Sequence, residues 1–386
     1  MAVTFAPTNK RRTAFHELTV AEVRRLTDDA VEVTFAVPAD LAGKYDYVPG
    51  QYVALRTTLD IDGEPKEVRR SYSICAEPRP GEIRVAIKRD LGGVFSSWAN
   101  ESLKAGDRLD VMSPMGQFIS KHEMTELNHP EKIDTATQNT FVAVAAGSGI
   151  TPVISIARSV LAAGENVRFD LVYANKAAMD VMFLEDLADL KDRYPARFAV
   201  HHVLSREQRI SPLLSGRIDV EKLQTLLGGV LRTEDVDEWF LCGPFELVQL
   251  CRDTLAERGV PAEKIRFELF STGEPARPEG QTGRPVRPAD NGENYTISFR
   301  LDGLQGTVES PTHARESLLN AALRVRPDVP FACAGGVCGT CRAKIVSGTV
   351  EMEENYALEP DELAKGYVLT CQARPTSDAV SVDYDA

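Results

Sequence analysis

The sequence contains no long apolar run. No stretch approaches the roughly 18 to 20 consecutive apolar residues that a membrane-spanning helix requires. Arg11 and Arg12 could begin a twin-arginine export signal, but no apolar run of signal-peptide length follows them. These absences predict a protein with neither a membrane span nor an export signal, for which the cytoplasm is the default compartment.

Basic residues are also in short supply. The 386 residues include 44 lysines and arginines against 57 aspartates and glutamates, which gives a formal net charge of -13 at pH 7. Binding to a nucleic acid backbone normally needs a surplus of positive charge, so this balance argues against a nucleic acid partner. Hydrophobic residues (43%) and charged residues (26%) occur at ordinary globular levels, which excludes extensive disorder and a fibrous repeat.

Three segments with different hydrophobic patterns follow one another. Residues 15–120 contain short alternating runs separated by Pro-Gly and Gly-Asp turns, which predict an antiparallel β-barrel interrupted by one helix over 94–104. Residues 140–271 alternate apolar strands with helices, a pattern typical of an α/β doubly wound parallel sheet. Residues 272–294 are rich in proline and glycine and predict a linker to a third domain over 295–386.

The doubly wound segment is the candidate for nucleotide binding, because ligands of such sheets lie at the carboxyl ends of the strands. Its predicted strands cover 141–145, 169–173, 198–204, 239–242 and 265–270. Its predicted helices cover 152–162, 179–193, 220–227 and 245–258.

Four of the seven cysteines form a recognisable pattern in the last segment. Cys333, Cys338 and Cys341 follow the spacing C-x4-C-x2-C, and Cys371 follows Cys341 after 29 intervening residues. This is the spacing of a plant-type 2Fe-2S cluster. A structural zinc site is the alternative, but zinc sites usually pair two short cysteine knuckles, whereas Cys371 stands alone.

Glycines within the cysteine loop support the cluster interpretation. The thiolates must converge while backbone amides point at the bridging sulfides, so the main chain has to approach closely. Gly335, Gly336 and Gly339 permit this approach, because glycine adopts positive φ without steric penalty. Of the remaining cysteines, Cys75 and Cys251 are expected in the core.

A flavin site is suggested by two short motifs of the barrel segment. Arg70, Tyr72 and Ser73 end one predicted strand, and Gly93 precedes a predicted helix about 20 residues later. A glycine turn into a helix start offers amides to a phosphate, Arg70 can add charge, and Tyr72 could stack on a flat ring. Each motif alone is more often a half-buried strand or a plain turn, but the cluster and the nucleotide segment strengthen them.

The nucleotide motif is a buried strand followed by a glycine turn and a helix. Gly147-x-Gly149-x-Thr151-Pro152 suits a pyrophosphate, with the proline expected at the first helical position, where its missing amide costs nothing. The motif departs from the full G-x-G-x-x-G fingerprint, because Thr151 and Pro152 replace the later positions.

These motifs, in this order, resemble the ferredoxin-NADP reductase superfamily. The matching motifs are Arg70-x-Tyr72-Ser73, Gly93-x-x-Ser96, Gly147-x-Gly149-x-Thr151-Pro152 and Cys242-Gly243-Pro244, followed by the plant-type cysteine loop. The resemblance covers nearly the whole chain. It implies an antiparallel β-barrel that binds FAD, more often than FMN, over 15–120, a doubly wound domain that binds a nicotinamide nucleotide over 140–271, and an α+β ferredoxin (β-grasp) domain.

The resemblance also implies roles for individual residues. Ser73, Cys242 and Glu268 are expected at the reacting ends of the flavin and the nicotinamide, although Cys242 could instead be a buried core thiol. The implied flavin ligands are Arg70, Tyr72, Ser73, Lys88, Gly93, Val94 and Ser96. The implied nucleotide-site residues are Gly147, Gly149, Thr151, Gly243 and Pro244, and Phe270 is expected beside the flavin ring.

The choice between NADPH and NADH depends on the end of the strand predicted over 198–204. An arginine and a hydroxyl at Ser205-Arg206 suit a 2′-phosphate and predict NADPH, whereas a carboxylate there would have favoured NADH. Glu207 follows directly, and an exposed Arg-Glu pair is ordinarily a solvated surface pair, so NADH stays open. His201 and His202 are expected to be structural or surface residues.

A flavin and a 2Fe-2S cluster together predict an electron-transfer reductase, because nicotinamide delivers electrons in pairs and the cluster accepts one at a time. The predicted route runs from NADPH through FAD and the cluster to an external oxygenase. Residues 353–362 and 366–372 resemble reductase subunits of phenylacetyl-CoA epoxidases, which are multicomponent di-iron oxygenases of phenylacetate degradation, an aromatic catabolism. Reductases of ketosteroid 9α-hydroxylase, a Rieske system, share the domain order. A flavin and iron-sulfur redox sensor is the alternative from another class.

Overall fold

The computed structural model describes residues 3–5, 15–61, 63–90, 93–116, 118–121, 139–231, 233, 235–270, 294–301, 304–326, 329, 331, 336, 339–355, 357–358 and 360–386. The chain divides into two compact units. Unit 1 comprises Met1–Ala14, Glu67–Ser71 and Gly273–Ala386, and unit 2 comprises Phe15–Lys66 and Tyr72–Thr272. The first strand, β1 (Val3–Phe5), belongs to unit 1. Of the predicted linker, only Asn294 is described, and residues 122–138 also lie outside the described part.

A six-stranded antiparallel sheet forms the predicted barrel. Its strand order is β5-β4-β7-β2-β3-β6, and a bridge between Ile74 and Val85 brings the residue after β5 beside β6, so that the sheet nearly closes. Val33 and Phe35 are fully buried within it. The strands are β2 (Phe15–Thr27), β3 (Ala30–Ala36), β4 (Tyr52–Ile61), β5 (Glu64–Ser73), β6 (Glu82–Lys88) and β7 (Arg108–Met112).

One helix, α1 (Val94–Glu101), interrupts the barrel where the sequence predicts it. It ends before the predicted residue 104, because the chain turns at Ser102 and buries Leu103. The Asn100 side chain donates hydrogen bonds to Ile87 O at 3.1 Å and to Ser96 O at 2.9 Å, and so fixes α1 against β6.

The second half of unit 2 is a parallel sheet of order β10-β9-β8-β11-β12. The central strand β8 is buried on both faces, as Phe141 and Val142 show, which is characteristic of a sheet covered by helices on each side. The strands that follow β8 in sequence are added first on one side of it (β9 and β10) and then on the other (β11 and β12). The carboxyl ends of β8 and β11 therefore border the crevice in which such folds bind ligands. The strands are β8 (Asn139–Ala146), β9 (Val167–Asn175), β10 (Phe198–Leu204), β11 (Glu238–Gly243) and β12 (Ile265–Leu269).

The helices of the parallel sheet differ from the predicted ranges at their ends. They are α2 (Ile150–Ala163), α3 (Leu184–Arg193), α4 (Val220–Thr225) and α5 (Phe245–Glu257). The helix predicted over 179–193 begins only at Leu184, because Phe183 adopts a left-handed conformation with φ 60° and is buried. Helix α4 passes into a π-helical turn, Leu226–Val230, which carries the Gly228-Gly229 pair.

Ion pairs within unit 2 connect the barrel to the parallel sheet. Arg24 of β2 donates to the buried Glu32 of β3 at 2.9 Å and pairs with Asp186 of α3 at 3.0 Å. Arg158 of α2 pairs with the same aspartate at 2.6 Å. Because Asp186 bonds two arginines from different elements, these contacts hold β2 and β3 of the barrel against the nucleotide segment.

The cysteine domain in unit 1 is a mixed sheet covered by one main helix. Its order is β14-β13-β19-β15-β17, with β13 and β19 parallel, and a second small sheet has the order β1-β16-β18. The apolar side of α6 is buried in the core of this domain. The elements are β13 (Asn294–Leu301), β14 (Leu304–Pro311), α6 (Leu318–Leu323), β15 (Arg342–Ser347), β16 (Val350–Met352), α7 (Pro360–Ala364), β17 (Tyr367–Leu369), β18 (Ala373–Pro375) and β19 (Ala379–Asp383). None of the helices that the structure describes combines the length and apolar character needed to cross a membrane.

Candidate flavin, nucleotide and cluster sites

The glycine turn after β8 packs directly on the end of β11. Gly147 has φ 53°, and a Cβ on Gly149 would lie 2.3 Å from the carbonyl oxygen of Cys242, so only glycine fits there. Thr151 donates a hydrogen bond to Ser148 O at 3.0 Å, which fixes the turn. The first amides of α2, which have no partner within the helix, therefore lie at the carboxyl edge of the sheet, where they suit a pyrophosphate.

The position of Pro152 corrects one detail of the sequence prediction. Helix α2 begins at Ile150, so Pro152 is its third residue rather than its first. The missing N–H of Pro152 still costs no hydrogen bond, because the N–H of the third helical residue would also have no acceptor within the helix.

Tyr173 carries no motif in the sequence, yet it supports the glycine turn. Its hydroxyl donates a hydrogen bond to Gly147 O at 2.9 Å. The ring is fully buried, and burial raises the pKa of the hydroxyl, so it remains a donor. The only sequence signal for this role is the position of a tyrosine near the end of a buried strand, beside the strand that leads into the glycine turn.

Ser73, Cys242 and Glu268, the three predicted reacting-end residues, lie close together in unit 2. Cys242 and Glu268 are neighbours across β11 and β12, and the Ser73 hydroxyl donates to Glu268 Oε2 at 3.4 Å. Burial, and then the charge of Glu268, raise the pKa of the Cys242 thiol well above its usual range. The thiol is therefore neutral, and this site holds a hydroxyl, a thiol and a carboxylate from three different strands.

The residues after β11 close the other side of the crevice. Gly243 approaches Ala146 so closely that a Cβ on Gly243 would lie 3.1 Å from the Ala146 Cβ. Its carbonyl accepts a hydrogen bond from the Phe270 amide at 2.9 Å, which places Phe270 directly beyond β12. Pro244 then caps α5, so the predicted Cys242-Gly243-Pro244 motif lies at the carboxyl edge next to the glycine turn.

The predicted flavin residues of unit 2 lie around the start of α1. The rings of Tyr72 and Phe95 lie 5.7 Å apart with a 33° tilt. The Ser96 hydroxyl accepts a hydrogen bond from the Asp90 amide at 3.0 Å and donates to Gly93 O at 3.2 Å. Since this hydroxyl is engaged in the turn, the amides of the first turn are the groups that suit a phosphate.

Three other predicted flavin residues have different surroundings. Lys88 forms an ion pair with Asp29 at 3.3 Å, so its charge is already partly balanced. Arg70 is exposed, and its guanidinium donates to the carbonyl of Arg69 at 2.7 Å. Val94, at the start of α1, is 40% exposed.

Ser205 and Arg206 continue the pairing of β10 with β9 beyond the strand ends. Their amides donate to Asn175 O at 2.9 Å and to Lys176 O at 2.7 Å. Arg206 is exposed at this edge. The carboxylate of Glu207 accepts a hydrogen bond from the Ala178 amide at 2.7 Å, so its charge is engaged in the loop after β9.

Two of the four predicted cluster cysteines can be described. Cys341 and Cys371 are buried, whereas Cys333 and Cys338 lie outside the described residues. The amide and hydroxyl of Thr370 donate to Cys341 O at 3.1 and 2.9 Å, and the Tyr384 hydroxyl donates to the Thr370 hydroxyl at 3.0 Å. The segments that carry Cys341 and Cys371 are therefore bonded together.

The cysteine loop uses its glycines as predicted. Gly336 and Gly339 have φ of 80° and 71°. A Cβ on Gly336 would lie 2.9 Å from Glu354 O, so a larger residue would displace the loop from the turn that follows β16. This close approach fits a loop that wraps a cluster with its backbone. Gly335 lies outside the described residues.

Comparisons with known proteins agree with this arrangement. Family models match an oxidoreductase FAD-binding domain over 17–119, an oxidoreductase NAD-binding domain over 143–253 and a 2Fe-2S iron-sulfur cluster binding domain over 299–376. Fold and sites together define an oxidoreductase that uses FAD, a nicotinamide nucleotide and a 2Fe-2S cluster. The chain belongs to the oxygenase-reductase family within the ferredoxin-NADP reductase superfamily.

Relatives match over almost their full lengths. One of the subunits of 1,2-phenylacetyl-CoA epoxidase from Escherichia coli K12 is 42% identical over 374 residues, or 97% of this chain and 99% of the relative. The ferredoxin reductase component of 3-ketosteroid-9-alpha-monooxygenase from Mycolicibacterium smegmatis is 35% identical over 376 residues, covering 96% and 97%. The solved structure of phthalate dioxygenase reductase shares the fold, with a TM-score of 0.51 and 22% identity over 96% of this chain and 98% of that one.

These findings confirm several predictions made from the sequence. The chain is a reductase component of multicomponent oxygenases, with the predicted three-part fold and FAD, NAD(P)H and 2Fe-2S cofactors. The protein that accepts its electrons is accordingly another component of such a system, and which component it is belongs to the proposal below. The roles of individual residues and the preference for NADPH remain predictions.

Proposed function

We propose that this chain passes electrons from NADPH to the di-iron oxygenase component of a phenylacetyl-CoA epoxidase. The observation that carries the proposal is the 42% identity to a phenylacetyl-CoA epoxidase component over 97% of the chain, against 35% for a ketosteroid monooxygenase reductase. The cysteine-domain motifs over 353–362 and 366–372 support the same choice.

The nucleotide would lie across the carboxyl ends of the parallel strands. Gly147, Gly149 and the start of α2 would hold its pyrophosphate, and Ser205-Arg206 at the end of β10 would hold the 2′-phosphate of NADPH. Thr151 and Pro244 border the crevice between β8 and β11, which is the place for the nicotinamide.

The chain's own groups then shape the reacting end of the crevice. Glu268 accepts the hydrogen bond from Ser73 and lies beside the neutral Cys242 thiol, so the flavin edge would meet one oriented hydroxyl and one uncharged sulfur. When bound, FAD takes up electrons in pairs from the nicotinamide and passes them on singly to the 2Fe-2S cluster. Tyr72 and the first turn of α1 would bind the flavin ring and pyrophosphate, and Phe270 would lie beside the ring.

The test is reconstitution with purified components. The full-length protein, with its flavin and cluster bound, is mixed with the oxygenase component of a phenylacetyl-CoA epoxidase and, in parallel, with that of a ketosteroid 9α-hydroxylase. We expect phenylacetyl-CoA to increase NADPH oxidation and form epoxide only in the first mixture. Product in the ketosteroid mixture alone would favour the Rieske alternative.

A separate measurement distinguishes a reductase from a redox sensor. Cytochrome c accepts single electrons without being a natural partner, so a reductase should reduce it rapidly with NADPH. Rapid reduction of the flavin with no turnover of cytochrome c or of either oxygenase would contradict the proposal.

A further inference from the structure

Asn175 is a buried amide at the carboxyl edge of the parallel sheet, and none of the motifs accounts for it. The residue is 8% exposed. Among the residues that the structure describes, neither Nδ2 nor Oδ1 meets a hydrogen-bond partner. The Tyr173 hydroxyl lies near this amide without completing a hydrogen bond to it, and directs its own proton to Gly147 O. Buried amides without partners are rare, and one at a ligand edge points to a missing group.

The backbone around Asn175 holds this amide in place. The residue ends β9, where its carbonyl accepts the Ser205 amide at 2.9 Å. Phe169, Leu171 and Tyr173 alternate along the same strand and pack in the cluster that contains α2. Asn175 continues this alternation, so it lies on the α2 side of the sheet, the side of the glycine turn.

The order of the strands places Asn175 between two parts of the proposed nucleotide site. In the order β10-β9-β8, the 2′-phosphate residues Ser205 and Arg206 follow β10 and the pyrophosphate turn follows β8. Asn175 ends the strand between them. In NADPH, the adenosine ribose connects the 2′-phosphate to the pyrophosphate. A nucleotide bound at both groups must therefore place this ribose at the end of β9.

We propose that Asn175 binds the adenosine ribose of the nicotinamide nucleotide through its 3′-hydroxyl. This inference rests on the proposed nucleotide site. A carboxamide offers a donor and an acceptor side by side, which matches a hydroxyl that can also do both. NADPH and NADH share the 3′-hydroxyl, so Asn175 serves both, in contrast to Arg206, which would contact only the 2′-phosphate.

The test uses Asn175→Leu, which removes both polar atoms at similar volume. Binding of NADP⁺ and of NAD⁺ to the oxidised, flavin-loaded full-length protein is measured by titration calorimetry, and the melting temperature is measured without nucleotide. We expect Kd to rise about tenfold for both nucleotides, the effect of one lost hydrogen bond to a buried group. The ligand-free melting temperature should stay the same or rise, because the variant loses an unsatisfied amide.

A lower melting temperature with unchanged Kd values would overturn the proposal and make Asn175 a structural residue. If Asn175→Leu does not fold, Asn175→Asp keeps the size, removes the donor and adds charge, and it should weaken NADP⁺ binding at least as much. Unchanged binding by that variant would equally overturn the proposal.

Two controls separate this inference from the function on which it rests. Asn139→Leu alters another buried asparagine, at the amino end of β8, and should lower the melting temperature without changing either Kd. Arg206→Ala should weaken NADP⁺ alone. If the wild-type protein bound neither nucleotide, the proposed function would fail together with the inference, whereas wild-type binding with no effect at Asn175 would defeat the inference only.

Discussion

At the residue scale, the chemistry of the site depends on groups whose surroundings the sequence does not specify. The motif that contains Cys242 identifies it as a candidate, but its neutral state follows from complete burial beside Glu268. The Ser73-Glu268 hydrogen bond joins strands 195 residues apart along the chain. Ser73 and Cys242 are recognisable as candidates from their motifs, whereas the contact of Ser73 with Glu268 depends on the packing of barrel against parallel sheet.

Alkaline pH should destabilise unit 2 through its buried thiols. Burial raises the pKa of Cys251 to about 12, whereas an unfolded cysteine titrates near roughly 8.5. As pH rises above 8.5, the thiol loses its proton in the unfolded chain but keeps it in the folded protein. Deprotonation therefore favours the unfolded chain, and the free energy of unfolding falls progressively. From about pH 8.5 to 10, each such thiol should lower the free energy of unfolding by about 2 kcal/mol.

The measurement is urea unfolding at pH 8 and pH 10, followed by tryptophan fluorescence. Trp98 and Trp239 are the two tryptophans of the chain, and both belong to unit 2, so the signal reports that unit. Cys251→Ala should lose less stability between the two pH values than the wild type. An equal loss of unfolding free energy in both proteins would show that this thiol does not contribute to the destabilisation at alkaline pH.

Arg206→Ala should separate NADPH from NADH. Loss of a charged hydrogen bond to the 2′-phosphate should raise KM for NADPH about tenfold or more, while KM for NADH changes less than about twofold. Initial rates of cytochrome c reduction with each donor provide the measurement. Equal changes for both donors would remove the 2′-phosphate assignment.

At the scale of elements, most boundaries lie within two or three residues of the prediction, and the start of α3 is the main exception. The strand predicted over 198–204 coincides with β10, a largely apolar run that is buried at Phe198, Val203 and Leu204. Helix α3, in contrast, starts five residues later than predicted. Burial of Val181, Met182 and Phe183 forces the chain into a left-handed turn there, and such burial is set by tertiary packing rather than by local propensity.

The glycine turn should tolerate one substitution and reject another. Gly149→Ala would place a Cβ 2.3 Å from the Cys242 carbonyl, so β11 and the turn must separate. We expect a loss of about 1–3 kcal/mol in the free energy of unfolding and at least tenfold weaker NADP⁺ binding. Gly147→Asn is the matched control for the free energy of unfolding alone, because Gly147 has open space around its Cβ position and asparagine tolerates its φ of 53°. A similar loss in the free energy of unfolding for both variants would contradict the close-packing argument.

At the scale of the whole molecule, the carboxyl and amino edges of the parallel sheet have different functions. The carboxyl edge holds the proposed nucleotide site, whereas the amino edge anchors the chain on either side of residues 122–138. The buried Glu238 accepts a hydrogen bond from the Lys121 amide at 3.0 Å, and Asp237 accepts one from the Thr140 amide at 2.8 Å. Both flanks of this long segment are thus tied to adjacent residues.

Replacing residues 122–138 by a six-residue Gly-Ser linker should preserve the reductase core. Such a linker spans up to about 20 Å, enough to join flanks held by neighbouring side chains. Flavin content and NADPH-dependent cytochrome c reduction should remain within about twofold of the wild type. A Glu238→Ala variant, which removes the anchor instead, should lower the melting temperature, because it leaves the buried Ser120 hydroxyl and the Lys121 amide without this acceptor. Loss of flavin from the shortened protein would contradict the expectation that flavin binding does not depend on residues 122–138.

The anchoring of Lys121 and Thr140 on Asp237 and Glu238 also has a practical use. An affinity peptide or a dye-labelling sequence can be inserted in place of residues 122–138. Both ends of the insertion would be held at adjacent residues, on the edge of the sheet opposite the proposed nucleotide site. Electron transfer could then be followed on a surface or by fluorescence without a fusion at either terminus.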